Sequence, residues 1–357
     1  MSRRIISTLL LGAAVALAMP AAAQAAKRTV FMGVPPANQK AFQALKSDVN
    51  AFFPSAVRIR TGDTVAFAPA GFHSVDLPPR GGRVLPLITP TGKKVTGVND
   101  EAGAPFWFNG LDEVGLNRLL LQSRFGKTVR LTPQRLRSGL PLADKPKPMN
   151  VRFPRAGLFR YYCNVHPRMS GTVRVVGKGT RADSARSVAK RVKAQVSAAL
   201  AEARRVPAAT KPPANTVSVG AEGRNGVTFF DFVPKTVTVP VGTSMRFAMP
   251  ATSTEDHTAT AGPGDPAKEP NSYLGALAGS FQRPAFDPRA TYPSEKPPAI
   301  GSLSPALHGN GFWNSGVMDA NAGSPPPPVS AVTFAAAGTY RFFCLIHPFM
   351  SATVTVQ

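Results

Sequence analysis

Cysteine is nearly absent from this chain: two residues, Cys163 and Cys344, among 357. That count excludes a disulfide-stapled scaffold and leaves at most one bridge. Charged residues are also few, at 17%, and no long periodic apolar segment recurs. With Pro (36) and Gly (31) abundant, short strands joined by turns fit better than a helical bundle. Beyond the N-terminus no stretch is apolar for long enough to cross a bilayer. Acidic residues are scarce, 19 against 42 Lys and Arg, for a formal charge of +23. Such a balance ordinarily points to nucleic acid. Here the basic residues are scattered without interleaved aromatics to stack bases, so nucleic acid is not expected. An acidic protein partner, an anionic cell-envelope polymer or lipid headgroups suit the charge, as does a basic surface that serves solubility alone.

The N-terminus carries Arg3 and Arg4, an apolar run from Ile5 to Met19, and small residues ending at Ala23-Gln24-Ala25. This is the layout of a secretory signal over residues 1–25, with a run too short to anchor in a membrane. Ser2-Arg3-Arg4-Ile5-Ile6 suits either a general or a twin-arginine signal. No cysteine lies near the cleavage site, which excludes lipid attachment there. The expected location is periplasmic, cell-envelope or extracellular. About 330 mature residues exceed what one core usually holds, so two domains are expected.

Those two domains are copies. Gly157 to Ser170 and Gly338 to Ser351 run parallel at an offset of 181, both ending in Cys-x-x-His-Pro-x-Met-Ser. Upstream, Val57, Ile59, Gly62 and Phe67 match Val237, Val239, Gly242 and Phe247 at an offset of 180. Val57 and Ile59 alternate with Arg58 and Arg60, Val237 and Val239 with Thr236 and Thr238, and Thr172 to Val175 does the same, the two-residue period of half-buried strands. Residues 26–176 and 215–357 therefore read as tandem β-sandwiches. Between them, residues 177–214 change character: Ala185, Val188, Ala189, Val192, Val196, Ala199, Leu200 and Ala203 recur at helical spacing with Arg186, Lys190, Lys193 and Arg204 on other faces. One basic helix, ended by Pro207 and Pro212-Pro213, is expected as a solvated, semi-rigid linker that leaves the distance between the copies open.

Each copy also inserts a long excursion before its cysteine, 90 residues after His73 and 87 after His257. Proline-rich stretches such as Pro293 to Pro298 and Pro325 to Pro328 predict largely irregular loops. Trp107 and Trp313, in matching aromatic turns, are expected to pin these loops onto the sandwiches.

Cys-x-x-His-x-x-Met, present twice, is the most specific feature. Thiolate, imidazole and thioether on one tight loop suit copper, since sulfur ligands favour Cu(I) and imidazole binds both oxidation states. A second histidine follows the early strand of each copy, giving His73, Cys163, His166 and Met169 in one set and His257, Cys344, His347 and Met350 in the other. Two His and one Cys with a weak axial Met is a blue-copper arrangement.

On these residues both copies resemble the plastocyanin and amicyanin branch of the cupredoxins. The resemblance rests on Gly62-Asp63-Thr64-Val65, His73, the strand Gly157 through Cys163, the return Gly171 through Val175, and a short ligand loop at Cys344-x-x-His347-Pro348-Phe349-Met350. It covers the strand cores and ligand loops but not the excursions or the helix. It implies Greek-key sandwiches, one copper per domain and electron transfer, with His166 and His347 at the surface passing electrons to a redox partner. Arg168 stands where the second copy has Phe349, so a charged docking surface is expected at one site and an apolar one at the other. Ser74 and Thr258 read either as surface hydroxyls or as groups that hydrogen-bond across the sites.

Three rival readings remain. A Cys163 to Cys344 disulfide leaves unexplained why both cysteines occupy the same motif. A copper oxidoreductase needs further histidines, and of five only His308 is unassigned, with no His-x-His or His-Cys pair. Copper storage, delivery or resistance shares the ligand set, but loops braced by Pro167 and Pro348 suit electron transfer.

Overall fold

The computed structural model describes residues 25–321 and 326–357, so the expected signal falls, but for its last residue, outside the described residues. The first half builds two five-stranded sheets. One is ordered Phe52–Phe53, Lys27–Met32, Thr64–Pro69, Met149–Arg152, Thr128–Arg130; the other Leu136–Arg137, Asp76–Leu77, Gly157–Tyr162, Ser170–Val176, Ala56–Arg60. The second half repeats the scheme with Gly301–Leu303, Val329–Phe334, Ser244–Ala248, Thr216–Glu222, Val227–Val233, and with Thr236–Val239, Ser351–Val356, Gly338–Phe343, Thr260–Ala261, Trp313–Asn314. Lys27–Met32 runs parallel to Thr64–Pro69 as Thr216–Glu222 does to Ser244–Ala248. The architecture is mainly β, in sandwich-like pairs of sheets.

The alternation in the sequence has its expected consequence. Val57 and Ile59 are buried while Arg58 and Arg60 are exposed, because consecutive side chains of a strand leave opposite faces. Val30, Phe67 and Val151 from one sheet meet Ile59, Tyr161 and Val173 from the other. Tyr161 stands edge-on to Phe52 and Phe67 at 4.7 and 5.0 Å. In the second half Phe247, Trp313 and Phe342 fill the corresponding space.

The expectations for the helix are overturned. The helix Ala185–Ala209, capped by Ser184 accepting from the Ser187 amide, is not a solvated linker. Val196, Ala199, Ala203 and Val206 pack with Val34, Phe42, Val49 and Phe53 of the first half and with Ala221 and Val227 of the second. The small side chains of Ala199 and Ala203 let both halves approach the helix closely, and burial of an apolar stripe is what chiefly stabilises a helix of this kind. Nor does Pro207 end it. Proline there costs only one amide near the end of the final turn, and the helix closes with Thr210 donating to the Val206 carbonyl at 3.1 Å.

Within the described residues, which leave out 322–325 and so part of the Pro325 to Pro328 stretch, the excursions are largely irregular, as expected, but they share a core. Phe106, Phe108 and Val95 of the first pack with Leu274, Leu277, Ala290 and Phe312 of the second. Trp107 donates to the Pro293 carbonyl at 2.8 Å, pinning one excursion to the other rather than to its own sandwich. His308 is not spare: its Nδ1 and Nε2 face Asp100 and Glu295, each at 3.0 Å.

A further junction joins the halves. Ser47–Val49, from the first half, pairs antiparallel with Val227–Phe229 and adds a sixth strand to the second half's sheet. Among the described residues no helix is long and apolar enough to cross a membrane.

Candidate metal centres

In each half the strand carrying the cysteine lies beside the short strand that follows the first histidine: Tyr162 pairs with Asp76, and Phe343 with Thr260. This pairing brings together residues 86 apart in the first half and 83 in the second. The ligand loop then folds back on itself, with the Cys163 amide donating to the Met169 carbonyl at 3.0 Å and the Met169 amide to the His166 carbonyl at 3.2 Å. The second loop repeats both bonds, from Cys344 to Met350 at 3.3 Å and from Met350 to His347 at 2.9 Å.

The candidate atoms converge. One nitrogen of each histidine and the cysteine sulfur lie within 4.8 Å of one another, in His73, Cys163, His166 and again in His257, Cys344, His347. The two Nδ1 atoms stand 2.9 Å apart in the first set and 3.2 Å in the second. Each loop histidine holds Nδ1 at 3.7 Å from its sulfur. Met169 and Met350 are buried at the ends of the same loops. The cysteines are unpaired and lie in separate sites, which removes the disulfide reading.

Two imidazole nitrogens and a sulfur turned toward one point form a donor set for a soft or borderline cation, and copper fits it. Backbone amides aim at each sulfur: Cys163 Sγ accepts from the Ser74 and Val165 amides, and Cys344 Sγ from the Thr258 and His347 amides, all at 3.4 Å. Ser74 and Thr258 are fully buried, so they are not surface hydroxyls. Each ties the first-histidine turn to the ligand loop, Ser74 Oγ accepting from the Asn164 amide and Thr258 Oγ1 from the Leu345 amide, both at 2.8 Å.

Glycines back the first histidines. A Cβ on Gly33 would stand 2.6 Å from His73 Nε2, and one on Gly220 would stand 2.8 Å from His257 Nε2. Both glycines have left-handed backbones, with φ of 98° and 77°. Those Nε2 atoms are buried without hydrogen-bond partners. Packing therefore fixes each ring from behind while Nδ1 faces the site.

Electrostatics separates the two halves. Burial pushes the Cys344 thiol up to about 11. It also pushes His257 down to about 3, with the neighbouring His347 adding to the effect. Burial acts on Cys163 as well, but hydrogen bonds to His166 and His73 outweigh it and hold that thiol well below its ordinary value. Burial opposes the charged form of His166 too, but the Glu255 carboxylate beside it and the Cys163 sulfur outweigh that and hold its imidazolium well above the ordinary range. A bound cation would displace the thiol proton of Cys344.

The loop histidines are not at the surface, contrary to what the resemblance implies. His166 is only 7% exposed and His347 is half-buried, because the two ligand loops face each other across the boundary between the halves. Arg168 bonds the Ala251 carbonyl of the second half at 3.3 Å, while Phe349 stays 58% exposed. A cleft of about 340 Å³ opens there, lined in part by Phe72, His73, His166, Glu255, His347 and Phe349.

No family model and no curated protein matches the chain. Among solved structures, a reduced Cu(I) form of an amicyanin mutant is 16% identical, covering 43% of this chain and 90% of its own, with a TM-score of 0.21. Oxidized plastocyanin from Dryopteris crassirhizoma is 20% identical over 40% of this chain and 99% of its own, at a TM-score of 0.20. A purple cupredoxin from Nitrosopumilus maritimus is 12% identical over 40% and 98%, at 0.19. The paired sheets, the returning cysteine loop and the histidine held in the turn before the neighbouring strand give this chain a cupredoxin-like fold.

Proposed function

We propose that the protein is an exported electron carrier with two type 1 copper centres, one per Greek-key domain. His73, Cys163, His166 and Met169 hold the first, and His257, Cys344, His347 and Met350 the second. The domains span residues 26–176 and 215–357, with the segment 177–214 between them. The observation that carries the reading is the convergence, twice, of two Nδ1 atoms and one Sγ on a single point. Copper bound there supplies one-electron exchange between Cu(I) and Cu(II).

The chain's own groups hold the ligands still. Amides brace each sulfur, Ser74 and Thr258 tie loop to turn, and glycine backbones wall in the first histidines. A site that barely rearranges suits electron traffic better than storage or delivery, which needs exchangeable ligands. The external partner is a redox protein, acidic in keeping with the charge of +23. It meets the cleft edge where Phe72 and Phe349 are exposed.

Metal analysis with a visible spectrum of the purified mature protein tests the reading. Two copper ions per chain and an intense blue, green or purple colour are expected. A colourless protein, or one binding no copper, refutes it.

A further inference from the structure

Glu255 is a carboxylate only 6% exposed, two residues before His257, yet it does not serve its own half alone. Oε1 lies 3.3 Å from His166 Nε2 in the first half, and Oε2 lies 3.7 Å from His347 Nε2 in the second. Asn50, also from the first half, donates to Oε1 at 2.6 Å. The Glu255 amide bonds Ser253 Oγ at 3.2 Å. The carboxylate is thus gripped from both sides of the boundary.

The chemistry of imidazole makes the placement informative. Each loop histidine points Nδ1 into its site, so a metal there leaves the proton on Nε2, and a buried N–H needs an acceptor. A separate carbonyl or water for each would serve. Here one carboxylate, with two oxygens and several lone pairs, faces both. From one inner nitrogen to the other the path is two imidazole rings, one carboxyl group and two polar contacts. A buried carboxylate is costly unless it is paired and hydrogen-bonded. The repeat offers a comparison: the residue two before His73 is Gly71, so the first half has no counterpart of this group.

We propose that Glu255 couples the two metal centres into one communicating pair, through His166 on one side and His347 on the other. This inference rests on the copper reading above. One electron leaves one centre and enters the other, so one is oxidised as its partner is reduced; no bond breaks and no proton moves. The carboxylate also links the two binding equilibria, because ordering His166 and Glu255 at one site orders the contact that His347 uses at the other. Linkage of this kind is reciprocal. Glu255 is a positioning residue, since it touches the ligands and not the metal.

The test uses the full mature chain and Glu255→Gln, which puts an NH2 donor in place of one acceptor oxygen, so that one of the two Nε2–H groups faces a donor. Copper stoichiometry comes first: two per chain in both proteins upholds the copper reading independently of the coupling, and none in wild type refutes that reading. Cu(I) affinity of the second site is then measured by chelator competition with the first site intact and with Cys163→Ser, each in the presence and absence of the Glu255→Gln substitution. Coupling predicts at least a fivefold change on loss of the first site when Glu255 is retained and a change within twofold when it is replaced. The converse set, with Cys344→Ser, should give the same factor at the first site. After a substoichiometric reducing pulse, concentration-independent redistribution between centres should slow at least tenfold in Glu255→Gln. Equal affinities and equal redistribution rates in the two backgrounds would overturn the proposal. Should Glu255→Gln fail to fold, Asn50→Ala removes the 2.6 Å grip while leaving the carboxylate, and a coupling factor unchanged from wild type counts equally against it.

Discussion

Replacing Gly33 with alanine is a stringent test of how the first centre is built. The new Cβ would collide with the Ala70 carbonyl oxygen and lie 2.6 Å from His73 Nε2 and 2.7 Å from His73 Cδ2. Neither neighbour gives way easily: one is backbone, and the other is a ring only 1% exposed. The left-handed φ of 98° adds its own penalty for a residue with a Cβ, about 1–2 kcal/mol. Overpacking of a tight interior adds roughly 1–3 kcal/mol. The metal-free protein is expected to lose about 2–5 kcal/mol, read as a lower urea midpoint, and the displaced imidazole to abolish copper binding at the first site alone. Gly92→Ala is the control, because its φ is 90° but nothing lies within 4 Å of its Cβ; it should cost only the conformational part, with both centres intact. A Gly33→Ala protein that unfolds at the wild-type midpoint and still takes up two copper ions would refute the packing argument.

Cys163→Ser should remove one centre and leave Cys344 untouched, so the visible charge-transfer band falls by about half; an unchanged band removes the first half from the proposal. Ala203→Leu inserts bulk where the helix is fully buried between the halves, and about 1–3 kcal/mol of destabilisation by calorimetry is expected; a solvated helix would tolerate it. Burial lifts the Glu222 carboxyl from 4.5 to about 8. A carboxyl raised in the folded state keeps its proton there longer, so its stabilisation is complete at low pH and disappears as pH climbs from about 4.5 to about 8. Glu222→Gln should flatten that decline in urea midpoints of the metal-free protein, and an identical slope would refute the assignment.

The ligand loops were legible because their information is local: seven residues carry three donor side chains, and the repeat shows them twice. The alternating strands and the helix were equally plain, since each follows from a period in a short window. What covers the helix was not. Amphipathicity specifies a buried face but not its partner, and Ala199 and Ala203 fit a solvated helix as well as a packed one. Ser47–Val49 gave no signal either; three residues with Asp48 among them have no strand period, and their partner lies about 180 residues away. Glu255 was the informative omission. Against the repeat it stands where the other copy has Gly71, and a charged residue that breaks the symmetry beside a ligand is a cue that comparison of the copies provides.

The strand that Ser47–Val49 lends to the other half means that the second half's sheet is not complete on its own. Cut away residues before the helix, and the backbone groups of Val227–Phe229 lose their hydrogen-bonded neighbour. An unprotected rim of that kind recruits whatever extended chain is at hand, most readily another copy of itself. Produced alone, residues 215–357 should therefore self-associate, and a synthetic peptide spanning Lys46 to Asn50 should return them to monomers.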